Sequence, residues 1–258
     1  MEKKIENIVL IGAGNIATHL ALALSKKSKI IGVYSKNGVS ARELAFKVNT
    51  EVLSSLDNIP SCDLILICAK DDAIDEIINQ IPTHFSIAYT SGSVDLHHLP
   101  VREKIGVFYP LQTFSKDRFL DIQQVPFFIE GSTENYTNEL IQLASSISEN
   151  ISIATSDDRK KMHLAAIFIN NFSNHLATLA KEYIENEHLN WEYLKPLIKE
   201  TTNKILDSGP KEMQTGPARR NDKQIIEEHL RMLSGTSKEI YALLSKSISD
   251  TYFKNQDK

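Results

Sequence analysis

Reactive sulfur is scarce in this chain, and nothing in it is both long and apolar. Two cysteines occur among 258 residues: Cys62 and Cys68, flanking the apolar stretch Asp63 to Ala69. If that stretch is a strand, the thiols share a face but stand roughly 20 Å apart at about 3.3 Å per residue, too far to bridge. A disulfide framework is excluded, and two buried free thiols in a reducing cytoplasm are expected. No apolar run approaches the roughly 20 residues that span a membrane. The start, Met1-Glu2-Lys3-Lys4, leads directly into the first apolar run, which leaves no room for a signal peptide. A basic excess is missing as well. With 29 Lys and Arg against 33 Asp and Glu, the net charge is −4, which argues against a general nucleic-acid surface. Repeats, low-complexity linkers and a metal-ligating cluster are also lacking. What remains is an ordinary soluble composition, 41% hydrophobic and 24% charged, in a chain long enough for two domains.

The most informative stretch is Ile8-Val9-Leu10-Ile11-Gly12-Ala13-Gly14-Asn15-Ile16-Ala17. An apolar run breaks at two glycines and resumes as a helical pattern, which reads as strand, tight turn and helix. Gly12 permits the turn. Gly14 has no side chain to keep a pyrophosphate off the backbone, and the helix start at Asn15 and Ile16 presents free N–H groups to phosphate. Ala17 takes the third position, where only a small residue is needed. Further strand and helix segments follow in alternation: Ile30 to Tyr34, Ala41 to Val48, a short third strand at Glu51 to Leu53, Asp63 to Ala69, Ala73 to Gln80 and Phe85 to Tyr89. The last apolar runs are Lys104 to Tyr109, Val125 to Glu130 and Ile151 to Ile153. This is the pattern of an α/β, doubly wound, mostly parallel sheet that binds a dinucleotide.

The tips of such strands line the ligand crevice. After the second strand stand Tyr34-Ser35-Lys36-Asn37, with no acid to hold ribose hydroxyls. Ser35 and Lys36 suit a 2′-phosphate, so NADP is preferred over NAD, although Lys36 also reads as a solvated loop lysine. Ala69, Lys70 and Asp71 follow the next long strand, and Ser91 lies in the small-residue loop Thr90 to Ser93. Asp71 or Asp72 capping the next helix is an equally good reading.

From Ser156 onward only helical patterns occur, and a domain boundary is expected there, with residues 1–154 as the dinucleotide-binding domain and 155–258 as an all-helical domain. The first helix is expected to run to about Glu185 and, being almost entirely apolar from Met162 to Phe172, to be buried on most sides. His163, Asn170 and Asn174 fall on one stripe at helical spacing, facing either a wet cleft or an internal polar network. A second helix spans Asn190 to Leu206, bent or begun by Pro196. The broken segment Thr215-Gly-Pro-Ala-Arg-Arg-Asn-Asp222 holds Arg220 and Asp222. It fits either an anion-binding loop or a loop tied down by its own Arg–Asp pair.

Taken together, Gly12-Ala-Gly-Asn-Ile-Ala17, Ser91-Gly92, Tyr109-Pro-Leu-Gln-Thr-Phe114, His163-Leu-Ala-Ala-Ile-Phe-Ile-Asn-Asn-Phe-Ser-Asn174 and Thr215 to Asp222 resemble the Rossmann-like proteins that carry a DUF2520 domain. More distantly the chain is similar to pyrroline-5-carboxylate reductase and to the β-hydroxyacid and 6-phosphogluconate dehydrogenases. The resemblance implies an NAD(P)-binding domain followed by a helical domain that closes the cleft and commonly dimerises. Many relatives have a histidine where this chain has Tyr109, so an imidazole is missing there, while a phenol still offers a hydrogen bond.

The resulting expectation is a cytoplasmic NADP-dependent oxidoreductase, a homodimer through its C-terminal helices. It passes hydride between nicotinamide and a small polar substrate held between the domains. His163 is the acid or base, Asn170 and Asn174 orient the reacting group, and Arg220 with Asp222 anchor a substrate anion or fix their loop. The alternatives are an NADP-binding sensor without chemistry and an S-adenosylmethionine methyltransferase; the latter usually needs an acid after the second strand.

Overall fold

The computed structural model describes residues 4–253. Seven strands form one sheet in the order β2-β1-β3-β4-β5-β6-β7. They are β1 (Asn7–Ile11), β2 (Lys29–Tyr34), β3 (Leu64–Ile67), β4 (Ile87–Tyr89), β5 (Ile105–Pro110), β6 (Phe127–Gly131) and β7 (Ile151–Ile153). Strands β1 to β5 pair in parallel, β6 runs antiparallel to β5, and β7 is parallel to β6. The order changes direction at β1, since β2 lies on one side of it and β3 on the other, and such a switch point opens a crevice at the carboxyl ends of the strands.

Helices cover both faces, which is why the strands read as apolar runs rather than alternations. All four residues of β3, Leu64 to Ile67, are buried. On one face Ile8, Leu10, Leu64 and Leu66 pack with Ala17, Leu20, Ala21 and Leu24 of α1 (Asn15–Leu24). On the other, Val9, Ile11, Ile65 and Ile67 pack with Ile74, Ile77 and Ile78 of α3 (Asp71–Gln80). Also in this part of the chain are α2 (Gly38–Lys47), capped by the Asn37 side chain, and α4 (Glu134–Ser145), capped by Thr133.

Two expectations are corrected here. Glu51 to Leu53 forms no full strand; a single bridge joins Val52 to Val33 at the outer side of β2. The long helix is not continuous either. It consists of α5 (Ser156–Ile167), a π-helical turn at Phe168–Phe172 and α6 (Ser173–Asn186). Its start is a capping box in which Thr155 accepts from the Asp158 N–H while Asp158 accepts from the Thr155 N–H.

The chain divides into two compact units, one through Asn171 and one from Phe172. The first unit thus includes α5, which lies beyond the point where the strand and helix pattern ends. The second comprises α6, a 3-10 turn at Trp191–Leu194, α7 (Lys195–Ser208), α8 (Lys223–Met232) and α9 (Gly235–Phe253). Pro196 sits in the first turn of α7 and so sets its start.

The expected burial of Met162 to Phe172 is not found within the single chain. Leu164 is 57% exposed, Phe168 61% and Ile169 73%. None of α6, α7, α8 and α9 contains a buried residue. Apolarity on several sides of a helix shows that it needs cover, but not which chain provides it.

Candidate functional site

The site is built where β1, β2, β3 and β4 end. Gly12 has φ +110°, and a Cβ there would meet the Cys68 carbonyl oxygen at 2.2 Å, so only glycine fits. At Gly14 a Cβ would meet nothing within 4 Å. Gly14 is also the N-cap of α1, and no side chain caps that end. Open space over a helix start with unclaimed N–H groups fits a pyrophosphate, and Ile16 lies in that first turn. The Asn15 side chain is engaged differently: its amide donates to the Phe114 carbonyl at 2.8 Å. His19, one turn along, bonds the Ser115 carbonyl through Nε2 at 2.9 Å. Together they hold the segment after β5 against the start of α1, so the Asn15 side chain is committed to that segment.

At the end of β2, Ser35 accepts from the Asn37 N–H, and Lys36 is exposed with its ammonium 3.8 Å from Glu76 of α3. After β3, Ala69 is half-buried and Lys70 is the N-cap of α3 without a side-chain cap bond. Asp71 does not cap the helix. Its carboxylate accepts a hydrogen bond from the Ser93 hydroxyl, which ties the end of β3 to the loop after β4. In that loop Ser91 is buried, and its Oγ accepts from the Ser93 and Val94 N–H groups.

Tyr109, near the end of β5, stacks on Phe128 of β6 with ring centroids 6.3 Å apart. Its hydroxyl is 3.0 Å from Nδ1 of His163. Burial, reinforced by the charge of Asp71, pushes the Tyr109 phenol up to about 12, so it keeps its proton at neutral pH. His163 itself is half-buried.

What holds His163 there is a second set of contacts that sequence reasoning missed. Arg159, one turn before it on α5, is fully buried. It is paired with Glu130 of β6, and its Nη2 donates to the Val94 carbonyl at 2.7 Å. Ser156 donates to Glu130 at 2.9 Å and accepts from the Leu96 N–H at 3.0 Å. Lys160 pairs with Asp95 at 2.7 Å. The first turns of α5 are therefore clamped to the loop that carries Ser91 to Ser93. The only sequence signal was an arginine four residues before His163, which places both on one side of a helix.

The remaining expected residues belong to the π turn and to the second unit. Asn170 is exposed and sits inside the π turn. Because that turn takes more residues per revolution, seven residues from His163 no longer equal two whole turns. Asn174 is exposed on α6, in the second unit. Arg220 is exposed at the end of the 3-10 turn Ala218–Arg220, and Asp222 caps α8 by accepting from the Ile225 N–H at 3.2 Å. A groove of about 610 Å³ in the second unit is lined by Leu176, Tyr183, Pro217, Tyr241 and neighbours. It includes none of Asn170, Asn174, Arg220 and Asp222.

Among the described residues no group of His, Cys, Asp and Glu is arranged to hold a metal, and no helix is long and apolar enough to cross a membrane. The two cysteines form no disulfide.

Residues 7–87 match the family described as NADP oxidoreductase, coenzyme F420-dependent, and residues 125–248 match the domain of unknown function DUF2520. A crystal structure from Bacteroides fragilis, described as a candidate NADP oxidoreductase, is 41% identical, with 95% of this chain and 98% of that chain covered at a TM-score of 0.88. A Thermotoga maritima protein is 21% identical over 96% of this chain and 99% of its own, with a TM-score of 0.72. An imine reductase from Myxococcus stipitatus in complex with NADP+ is similar in fold, at 12% identity over 97% of this chain and 94% of its own and a TM-score of 0.64. None of the curated proteins compared with the chain matches it.

Proposed function

Because the chain belongs to the NAD(P)-dependent oxidoreductase family that joins a Rossmann-like domain to a DUF2520 domain, we propose that it reduces a small polar substrate with NADPH, with His163 as the acid–base group. The observation that carries this reading is the 3.0 Å contact between His163 and Tyr109, at the carboxyl edge of the sheet where a dinucleotide-binding fold places its chemistry. The α1 end with Gly12, Gly14 and Ile16 would hold the pyrophosphate, Ser35 and Lys36 the 2′-phosphate, and Ala69 to Asp71 with Ser91 the stretch between. A bound dinucleotide would supply hydride to carbon. The electron pair of the reacting double bond goes to oxygen or nitrogen, where a proton must be handled, and an imidazole can give or take one there.

The test is an absorbance screen at the reduced-nicotinamide band with small carbonyl and imine compounds, using the wild type and His163→Ala. Turnover that His163→Ala abolishes supports the reading. Tight NADPH binding with no oxidation by any compound favours a sensor that binds the dinucleotide without chemistry, and full turnover by His163→Ala removes the histidine from its role.

We propose further that the working form is a homodimer through the C-terminal helices. Four helices without one buried residue among them require cover, and closed symmetric pairs of identical chains are the commonest way to supply it. Exposed Leu176, Leu197, Ile198, Leu206 and Leu243 supply the apolar side chains on those helices. Sedimentation equilibrium reading a monomer at all micromolar concentrations would remove this proposal.

A further inference from the structure

We infer that Tyr109 is a positioning residue that donates its hydroxyl proton to Nδ1 of His163, so that the neutral imidazole carries its own proton on Nε2 and presents it to the reacting group. This rests on the assignment of His163 to the chemistry and adds which ring nitrogen acts and in which form.

The geometry favours one arrangement. Tyr109 is 7% exposed, and its hydroxyl lies 3.0 Å from Nδ1. If Nδ1–H were the donor, the phenol proton would need an acceptor other than His163, and a bond left unmade in so buried a place is costly. With the phenol as donor, both groups are satisfied. Nδ1 is then an acceptor, and the single proton of a neutral imidazole must lie on Nε2. Three contacts fix the phenol itself: Phe128 stacked on one side, the His163 ring edge-on at 6.1 Å, and Gly92, whose lack of a Cβ makes room for the Tyr109 ring. The Arg159 clamp fixes the other partner by holding the first turns of α5 on Glu130 and Val94.

The consequence for the reaction concerns the path of the proton. An Nε2–H donor in place before hydride arrives stabilises charge growing on a carbonyl oxygen or a neutral imine nitrogen. When the Nε2 proton passes to that anion, the phenol proton follows to Nδ1 across the 3.0 Å contact, so that no imidazolate forms, and the phenol regains its proton from solvent.

The test is nitrogen NMR of the full-length protein labelled with 15N histidine, free and with NADP+, at neutral pH. His163→Gln identifies the His163 signals by their loss. The expected wild-type spectrum has His163 protonated on Nε2, with an unprotonated Nδ1 shifted by an accepted hydrogen bond. In Tyr109→Phe that Nδ1 shift is lost while the other histidine signals stay in place, a change that general loosening of the fold would not produce. A wild-type proton on Nδ1, or an Nδ1 signal unmoved by Tyr109→Phe, overturns the inference. Because the spectrum is read without substrate, it stands or falls separately from the turnover screen.

Discussion

Gly92 and Tyr109 are fitted to one another so closely that a Cβ on the glycine would lie 2.6 Å from Cζ of the ring and 2.9 Å from its hydroxyl oxygen. Gly92→Ala must therefore push the phenol away from its place beside His163. Overpacking of this kind costs about 1–3 kcal/mol. The expected result is a lowered thermal midpoint together with loss of the Nδ1 signature, whereas Tyr109→Phe should lose the signature with a much smaller change in stability. Calorimetry and the histidine spectrum separate the two.

Lys36 offers a test of cofactor choice. Its ammonium stands 3.8 Å from Glu76, with both side chains largely exposed, so the pair holds it only weakly. Lys36→Ala is expected to weaken NADPH binding by about tenfold, equivalent to about 1.4 kcal/mol, and to leave NADH binding unchanged. Glu76→Gln should tighten NADPH slightly by removing a competitor. Titration calorimetry with both dinucleotides decides; tighter NADH binding by the wild type defeats the reading of Ser35 and Lys36.

The Arg159–Glu130 pair predicts an asymmetry. Arg159 has no exposure and the Glu130 side chain 12%, so removing either partner strands a charge at a cost of about 3–5 kcal/mol. Glu130→Gln keeps hydrogen bonding to Ser156 within reach and should fall at the low end, while Arg159→Met leaves the Glu130 carboxylate without its counter-charge, held by Ser156 alone, and the Val94 carbonyl with only the Tyr89 hydroxyl. Denaturant titrations of both variants give the order.

Acid should loosen the same region in a defined window. The Lys160 ammonium, bonded to Asp95, and then the His97 N–H hold that carboxyl down at about 2, against about 3.9 in an unfolded chain. A folded-state value below the unfolded one contributes stability above about pH 4, and that contribution fades as pH falls towards about 2. Lys160 is 41% exposed, so the effect is small, at most about 1 kcal/mol. The thermal midpoint of Lys160→Met should lie slightly below the wild type at pH 7 and coincide with it near pH 2.

How far the sequence could be read varied with the range of the interaction. The strand and helix alternation and the turn at Gly12 are local, written in runs of adjacent residues, and the sheet follows them. The π turn was invisible because nothing in Phe168-Ile-Asn-Asn-Phe172 marks it, and only hydrogen-bond register distinguishes it from an α-helix. The third strand failed for a similar reason. Glu51 to Leu53 has strand-like residues but sits outside β2, with a bridge at Val52 alone. The Arg159 clamp depends on Glu130, Val94 and Leu96, which come together only when β6 reverses direction beside β5. Tyr109 looked like a lost histidine until the fold brought it to His163, 54 positions away.

The turn at Gly12 also carries its own reporter. Cys68 lies directly behind it, half-buried as a residue, while its thiol is deep enough that burial pushes it up to about 12, with a bond to Thr90 offsetting only part. Alkylating reagents attack the thiolate, so in the closed protein this sulfur is nearly inert. Its labelling rate, followed on the peptide that contains it, becomes a clock for the opening of the turn, and a dinucleotide seated over Gly14 should slow that clock without touching the sulfur.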